Sequence, residues 1–351
     1  MEIRYSTSTS RGSGPSRSPL GVFGVWARRP LVRYSSSNRR NSRMSKVTII
    51  GAGAVGEAIA NALVIGDTVS DLVFYDVMKE KMRGMVMDFN HGQLFHHTRV
   101  IAAEDWLDTA ASDIVIITAG VRQKPGESRR DLLGRNKAVM EAIVPNMAKA
   151  SPNAIVCVVS NPCDFMTQLV AQLSGFPEGR VFGSGTYLDS SRFRSEIAKK
   201  LNVLPTRVHA YILGEHGDAS VVCTSCALVG GIHLRDLVSD EIIQEAHHKT
   251  VTAAANVIAL KGYTNTAIGF AVGKIVQAIV KDTNDIIPLS FSAKGRLGIK
   301  EDVYVSLPCV IGRNGVKVWD IKLPEEEASK IRASATVMYE SAMEVLGATK
   351  A

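Results

Sequence analysis

No apolar run in the 351 residues approaches the ~18 needed to cross a bilayer, so the sequence carries no membrane-helix signal. Cysteine is scarce. Its count of five is odd, and no secretory signal precedes it, which argues against a disulfide framework. Cys223 and Cys226 have CxxC spacing, but no second pair completes a zinc site, and no metal is expected. The alternation in Val221–Ala227 predicts a strand holding both thiols as buried structural groups. Acidic residues are almost missing from residues 1–44, where Glu2 stands alone beside nine arginines. The other 307 residues have 32 basic and 33 acidic side chains, so the formal charge of +7 belongs to the N-terminal segment. A nucleic-acid partner needs basic groups fixed on a folded face, and the near-neutral remainder excludes one.

That N-terminal segment is rich in Arg and Ser and has no apolar h-region, the composition of an organelle transit peptide. Arg28-Arg29-Pro30-Leu31-Val32-Arg33-Tyr34-Ser35-Ser36 resembles the end of a mitochondrial presequence, and a mitochondrial location is the expectation. The alternatives are a disordered basic extension and a cytoplasmic protein whose true start is Met44.

From Lys46 the texture changes. Val47–Ile50, Leu72–Tyr75, Ile114–Ile117 and Ile155–Val159 are short, continuously apolar runs with helical patterns between them, such as Asn136–Ala150. Runs of this kind belong to a parallel sheet covered on both faces. Beyond about residue 183, long helical patterns (Ser191–Leu201, Asp240–Leu260) mix with alternating strands such as Val303–Ile311. A hairpin turn is expected at Gly312-Arg313-Asn314-Gly315, and a closing helix from Pro324 to Val345. The fold class is therefore α/β: a Rossmann-type doubly wound parallel sheet over 45–182, then an α+β domain over 183–351.

Gly51-x-Gly53-x-x-Gly56 is a weak signal alone, but here it joins a β-branched strand to an Ala-rich helix. The first glycine allows a tight turn and the second a close approach of backbone to a pyrophosphate. The third packs helix on strand, and the N–H groups of the helix start, at Ala54 and Val55, face the anion. Asp76 follows Gly56 by 20 residues at the end of the second strand, where a carboxylate accepts the ribose hydroxyls and repels a 2′-phosphate. NAD is the expected cofactor.

Four later segments carry polar residues that a purely structural reading does not need. Thr118–Arg129 leaves a strand at the carboxyl edge of the sheet, with Pro125-Gly126 suggesting a lid. Ser160-Asn161-Pro162-Cys163-Asp164 leaves the next. Gly183–Arg192 contains Asp189, and Gly214-Glu215-His216-Gly217-Asp218 sets a histidine between glycines. A histidine titrates near neutral pH and suits proton transfer. Arginine grips a carboxylate bidentately. Singly, each has a plainer explanation: a turn histidine, solvated arginines, and Asp189 as a helix N-cap. His91, His96, His97, His247 and His248 match no motif and read as structural or surface residues.

In this order and spacing the segments resemble the L-lactate dehydrogenase branch of the lactate/malate dehydrogenase superfamily, over about residues 46–345. The resemblance implies reduction of a small 2-keto acid, with His216 as proton donor and acceptor, Asp189 as its partner, Arg192 gripping the substrate carboxylate and Arg129 polarising the carbonyl. It makes Asn161 a contact to both substrate and nicotinamide, and Thr264 a wall of the pocket. Gly120, Val121, Arg122, Asn136 and Ser160 are implied on the cofactor side. Gln123, six residues before Arg129, stands where malate-specific relatives carry arginine. A dicarboxylate there leaves an unpaired charge in a closed pocket, so pyruvate and L-lactate are favoured over malate and oxaloacetate. Thr266 replaces a bulky aromatic common in the family, which implies room for longer 2-keto acids, and Tyr187 is a further departure. Arg194 and His209 match positions that bind fructose 1,6-bisphosphate in allosteric relatives, though non-allosteric relatives often keep both. The family implies a homotetramer or homodimer.

Overall fold

A computed structural model describes residues 45–121 and 129–346, without the side chains of residues 129, 130, 345 and 346. The expected lid, with Arg122 and Gln123, and the side chain of Arg129 lie outside what is described.

The β-branched run forms β1 (Lys46–Ile50), and the glycine turn feeds α1 (Ala54–Ile65). β2 (Asp71–Tyr75), α2 (Lys79–His91), β3 (Arg99–Ala102) and β4 (Ile114–Ile117) follow. Then come α3 (Arg129–Ala150), β5 (Ile155–Val158), α4 (Cys163–Ser174) and β6 (Val181–Gly183). These six strands are parallel neighbours in the order β3-β2-β1-β4-β5-β6. The order reverses between β1 and β4, and the loops leaving those strands open a crevice at the carboxyl edge, where ligands of such sheets bind. Both faces are covered, as the continuous apolar runs require. Ile49, Phe74 and Ile116 pack towards one cluster, while Ile50, Val115 and Ile117 pack towards the other.

The second half begins with α5 (Tyr187–Leu201). Short strands follow: β7 (Val208–His209), β8 (Ile212–Gly214), β9 (Ser220–Val222), β10 (Leu228–Val229) and β11 (Ile232–His233). After α6 (Asp240–Lys261) and α7 (Thr266–Lys281) come β12 (Asp285–Ser292), β13 (Tyr304–Gly312), β14 (Gly315–Val318) and α8 (Glu325–Leu346). The expected hairpin is the β13–β14 turn, closed by Gly312 opposite Gly315. The main sheet continues into this half, because β12 adds antiparallel to β6 through Ser290 and Gly183. β7, β10 and β11 form a separate small sheet.

One local expectation needs correction, and one plainer alternative falls away. The strand expected over Val221–Ala227 ends at Val222, and Thr224–Cys226 turn as a 3₁₀ segment that Glu327 of α8 holds from Thr224 Oγ1 and Ser225 N. Cys223 is buried and Cys226 half-buried, both as free thiols. Nor is Asp189 a helix cap: α5 already begins at Tyr187, which puts Asp189 in its first turn.

Candidate active site

The glycine turn shows why each glycine is needed. Gly51 adopts φ +113°, and a Cβ there would sit 2.6 Å from Thr118 Oγ1 and 2.7 Å from Ala119 N. A Cβ on Gly56 would lie 2.1 Å from the Gly51 carbonyl oxygen, so the helix closes on the strand only without one. Gly53 is different: nothing lies within 4 Å of its Cβ position. Its small size serves no internal packing and leaves open space in front of the helix start. No side chain caps α1, so its first N–H groups keep their donors for an anion. Asp76 is held where β2 ends, accepting from Ala52 N at 2.6 Å and Met78 N at 2.8 Å. Open space, uncapped donors and a fixed carboxylate fit a dinucleotide with free ribose hydroxyls.

The neighbouring loops are tied by side chains. Ser160 Oγ donates to the Ala119 carbonyl at 2.6 Å. Asn136, 1% exposed, accepts from Val121 N at 2.7 Å and donates to the Asn161 carbonyl at 2.8 Å. Both polar ends of Asn136 are thus spent on backbone, where they align the loop after β4 with the loop after β5. Gly120 packs against this amide, and Asn161 is exposed at the carboxyl edge beyond it.

The catalytic candidates converge from three elements. Ile212 N donates to Ser190 Oγ at 2.9 Å, and Thr186 Oγ1 donates to the Ile212 carbonyl. These bonds tie the start of α5 to β8, just before the turn that bears His216. Asp189 then meets the imidazole: its Oδ2 lies 2.6 Å from His216 Nδ1. Its Oδ1 accepts from Arg192 Nη1 at 2.7 Å, one helical turn farther on. From α4, Asp164 Oδ2 accepts the backbone N–H of His216 at 2.8 Å.

Burial works to lower the pKa of His216, but the charge and hydrogen bond of Asp189, with the charge of Asp164, outweigh it and raise it to about 9. Burial likewise pushes Asp189 up, yet His216 and then Arg192 hold it below the ordinary aspartate value. At neutral pH the trio is therefore a carboxylate between two cations. Its imidazole holds a proton on Nδ1 towards Asp189 and presents Nε2 elsewhere. Asp164 is buried, and burial raises its carboxyl to about 6. The Ser290 hydroxyl and the backbone N–H and charge of His216 work the other way and limit the rise.

Comparison with known proteins identifies the family. The family model described as lactate/malate dehydrogenase, NAD binding domain matches residues 45–183, and that of the alpha/beta C-terminal domain matches residues 186–347. The chain belongs to the lactate/malate dehydrogenase family. Among curated family members, the L-lactate dehydrogenase A chain of Xenopus laevis is 44% identical over 304 residues, covering 84% of this chain and 91% of the relative. That of Parachaenichthys charcoti is 42% identical over 303 residues, with 84% and 92% covered. The crystal structure of a lactate dehydrogenase from a Medee basin deep-sea metagenome library superposes with a TM-score of 0.83 at 37% identity, covering 87% of this chain and 99% of that one.

Of the residues expected at the site of a lactate/malate dehydrogenase, the structure joins His216, Asp189 and Arg192 directly. It gathers Gly51, Gly53, Ala54, Val55, Gly56 and Asp76 around one turn. Thr264 is half-buried at the junction of α6 and α7, where Asn265 Nδ2 donates to the Ala54 carbonyl at 3.3 Å. Sequence reasoning placed Asp164 in a polar segment but gave it no role. The signal was an acid at the start of a mostly apolar helix, which nothing local pairs.

Proposed function

We propose that this protein is an NAD-dependent L-lactate dehydrogenase that interconverts pyruvate and L-lactate. The observation that carries this reading is the Arg192–Asp189–His216 chain, with contacts of 2.7 Å and 2.6 Å, in a family whose first domain binds NAD. NADH, when bound at the glycine turn, supplies hydride to the carbonyl carbon of the keto acid. The chain supplies the rest. His216 gives the proton on Nε2 to the emerging alkoxide, and Asp189 steadies the imidazolium and fixes its ring. One Nη of Arg192 stays with Asp189, and the rest of its fork grips the substrate carboxylate. Arg129 polarises the reacting carbonyl, and Asn161 and Thr264 shape the pocket. In the reverse direction His216, as neutral base, takes the hydroxyl proton of L-lactate.

Gln123 supports pyruvate over oxaloacetate, and Thr266, exposed at the head of α7, supports acceptance of longer chains such as 2-ketobutyrate. The test is steady-state NADH oxidation with a panel of 2-keto acids, with and without fructose 1,6-bisphosphate. Pyruvate is expected to give a higher kcat/KM than oxaloacetate; the reverse ranking makes the protein a malate dehydrogenase. Gln123→Arg is expected to shift preference towards oxaloacetate by at least about tenfold, since a paired second carboxylate replaces an unpaired one. An unchanged ratio removes Gln123 from the pocket. For self-association, the exposed Leu94, Phe95 and Phe270 side chains suit a second copy of the chain, as a homodimer or homotetramer. The Arg- and Ser-rich residues 1–44 support a mitochondrial address, and import of a reporter fused to them tests it.

A further inference from the structure

His216 rides on the turn 215–219 between β8 and β9, so its aim depends on what holds those two strands. Gly214 pairs with Ser220 across the ladder, and Ser220 N donates to the Gly217 carbonyl at 3.3 Å. The outgoing strand is fixed to α5 through Ser190 and Thr186. The returning strand has a tie to a different helix: Ser220 Oγ, on a residue only 8% exposed, lies 3.0 Å from His247 Nε2 of α6. α6 packs on α5, the helix that carries Asp189. We infer that His247 is a positioning residue for the catalytic imidazole: through Ser220 it clamps the return strand of the turn that presents His216, while α5 clamps the other. The inference rests on the reading of His216 as the proton-transfer group.

The surroundings of His247 suit a clamp rather than a second acid–base centre. Its pair with Ser220 borders a cavity of about 270 Å³ whose charges are taken up among themselves. Arg235 meets Asp240 at 3.2 Å, Lys330 meets Glu326 at 2.8 Å, and Glu327 accepts from Thr224 and Ser225. Burial holds the His247 ring below the ordinary histidine pKa. Asp189 pulls the other way, and His248 on its own helix adds to the lowering. A neutral His247 leaves the charge of Asp189 to His216 and Arg192, and still offers Ser220 a hydrogen bond.

The test is kcat for pyruvate reduction beside NADH affinity by fluorescence in His247→Leu, His247→Gln, Ser220→Ala and the double variant His247→Leu with Ser220→Ala. His216→Ala is run in parallel. Loss of the clamp is expected to lower kcat about tenfold in His247→Leu and in Ser220→Ala, because a small misplacement of a reacting group is costly in rate. NADH Kd is expected to stay within about twofold. His247→Gln, whose amide still reaches Ser220, recovers most of the loss, and the double variant is no slower than the slower single one. Ser220→Ala removes one oxygen and answers the question even where His247→Leu fails to fold. Wild-type kcat in Ser220→Ala, a His247→Gln as slow as His247→Leu, or NADH affinity falling in step with kcat would each overturn the inference. Should His216→Ala keep wild-type turnover, the reading of His216 is what fails.

Discussion

The cofactor turn and the catalytic cluster are built by opposite means. The turn is made of backbone: six consecutive residues, a φ of +113° at Gly51, and a helix start that no side chain caps. The cluster is made of side chains that the fold collects from far apart. Asp189 and His216 are 27 residues apart in sequence, and Asp164 and His216 are 52 apart. A binding surface made of main chain is tolerant of chemistry and intolerant of volume. A proton-transfer centre made of side chains is the reverse. Substitutions should separate the two.

The largest effect is expected at His216. His216→Ala should lower pyruvate turnover by about 10³-fold, the scale of a lost general acid, while NADH affinity stays near wild type. Loss of NADH binding in that variant would merge the two regions. Asp189→Asn comes next, with kcat down about 10²-fold. Pyruvate reduction needs protonated His216, so in the wild type it should fade as pH rises through about 9. Without the Asp189 charge that limb should move towards lower pH; an unmoved limb would mean that Asp189 does not raise the histidine. The same pair is linked to stability. A His216 pKa raised from 6.5 to about 9 adds stability that is complete below 6.5 and is lost as pH climbs through 9.

The turn responds to volume. Gly56→Ala forces a methyl to within 2.1 Å of the Gly51 oxygen and should cost roughly 1–3 kcal/mol of stability, read as a fall in Tm. Gly53→Ala is the sharper probe, since its Cβ position is open. Stability should change by less than about 0.5 kcal/mol, yet NADH should bind more weakly because the methyl occupies the space left for the pyrophosphate. Unchanged NADH affinity in Gly53→Ala would show that this space is not used.

What could be read from sequence follows the same division. The strand, turn and helix around Gly51–Gly56 were legible because every constraint is local, and so was the parallel character of runs such as Ile114–Ile117. His216, Asp189 and Arg192 became legible together, through their resemblance to a family pattern. Asp164 was not: its partner is a backbone N–H 52 residues away, which no spacing announces. His247 was set aside for the same reason, its bond to Ser220 being tertiary. The supposed strand through Cys226 failed because Glu327, some hundred residues on, holds Thr224 and Ser225 in a turn. Asn136, expected on the cofactor side, also aligns two loops with its amide, through tertiary bonds that no spacing announces.

The glycines of α7 have a consequence for motion. A Cβ on Gly269 would come within 2.7 Å of the Ala58 carbonyl oxygen, and one on Gly273 within 3.0 Å of Ala62 Cβ, so α7 lies almost backbone to backbone on α1. A slide of one helix along the other would bring side chains bulkier than glycine into that seam. The dinucleotide half and the proton-transfer half thus share one close-fitting seam, which resists displacement of one half along the other.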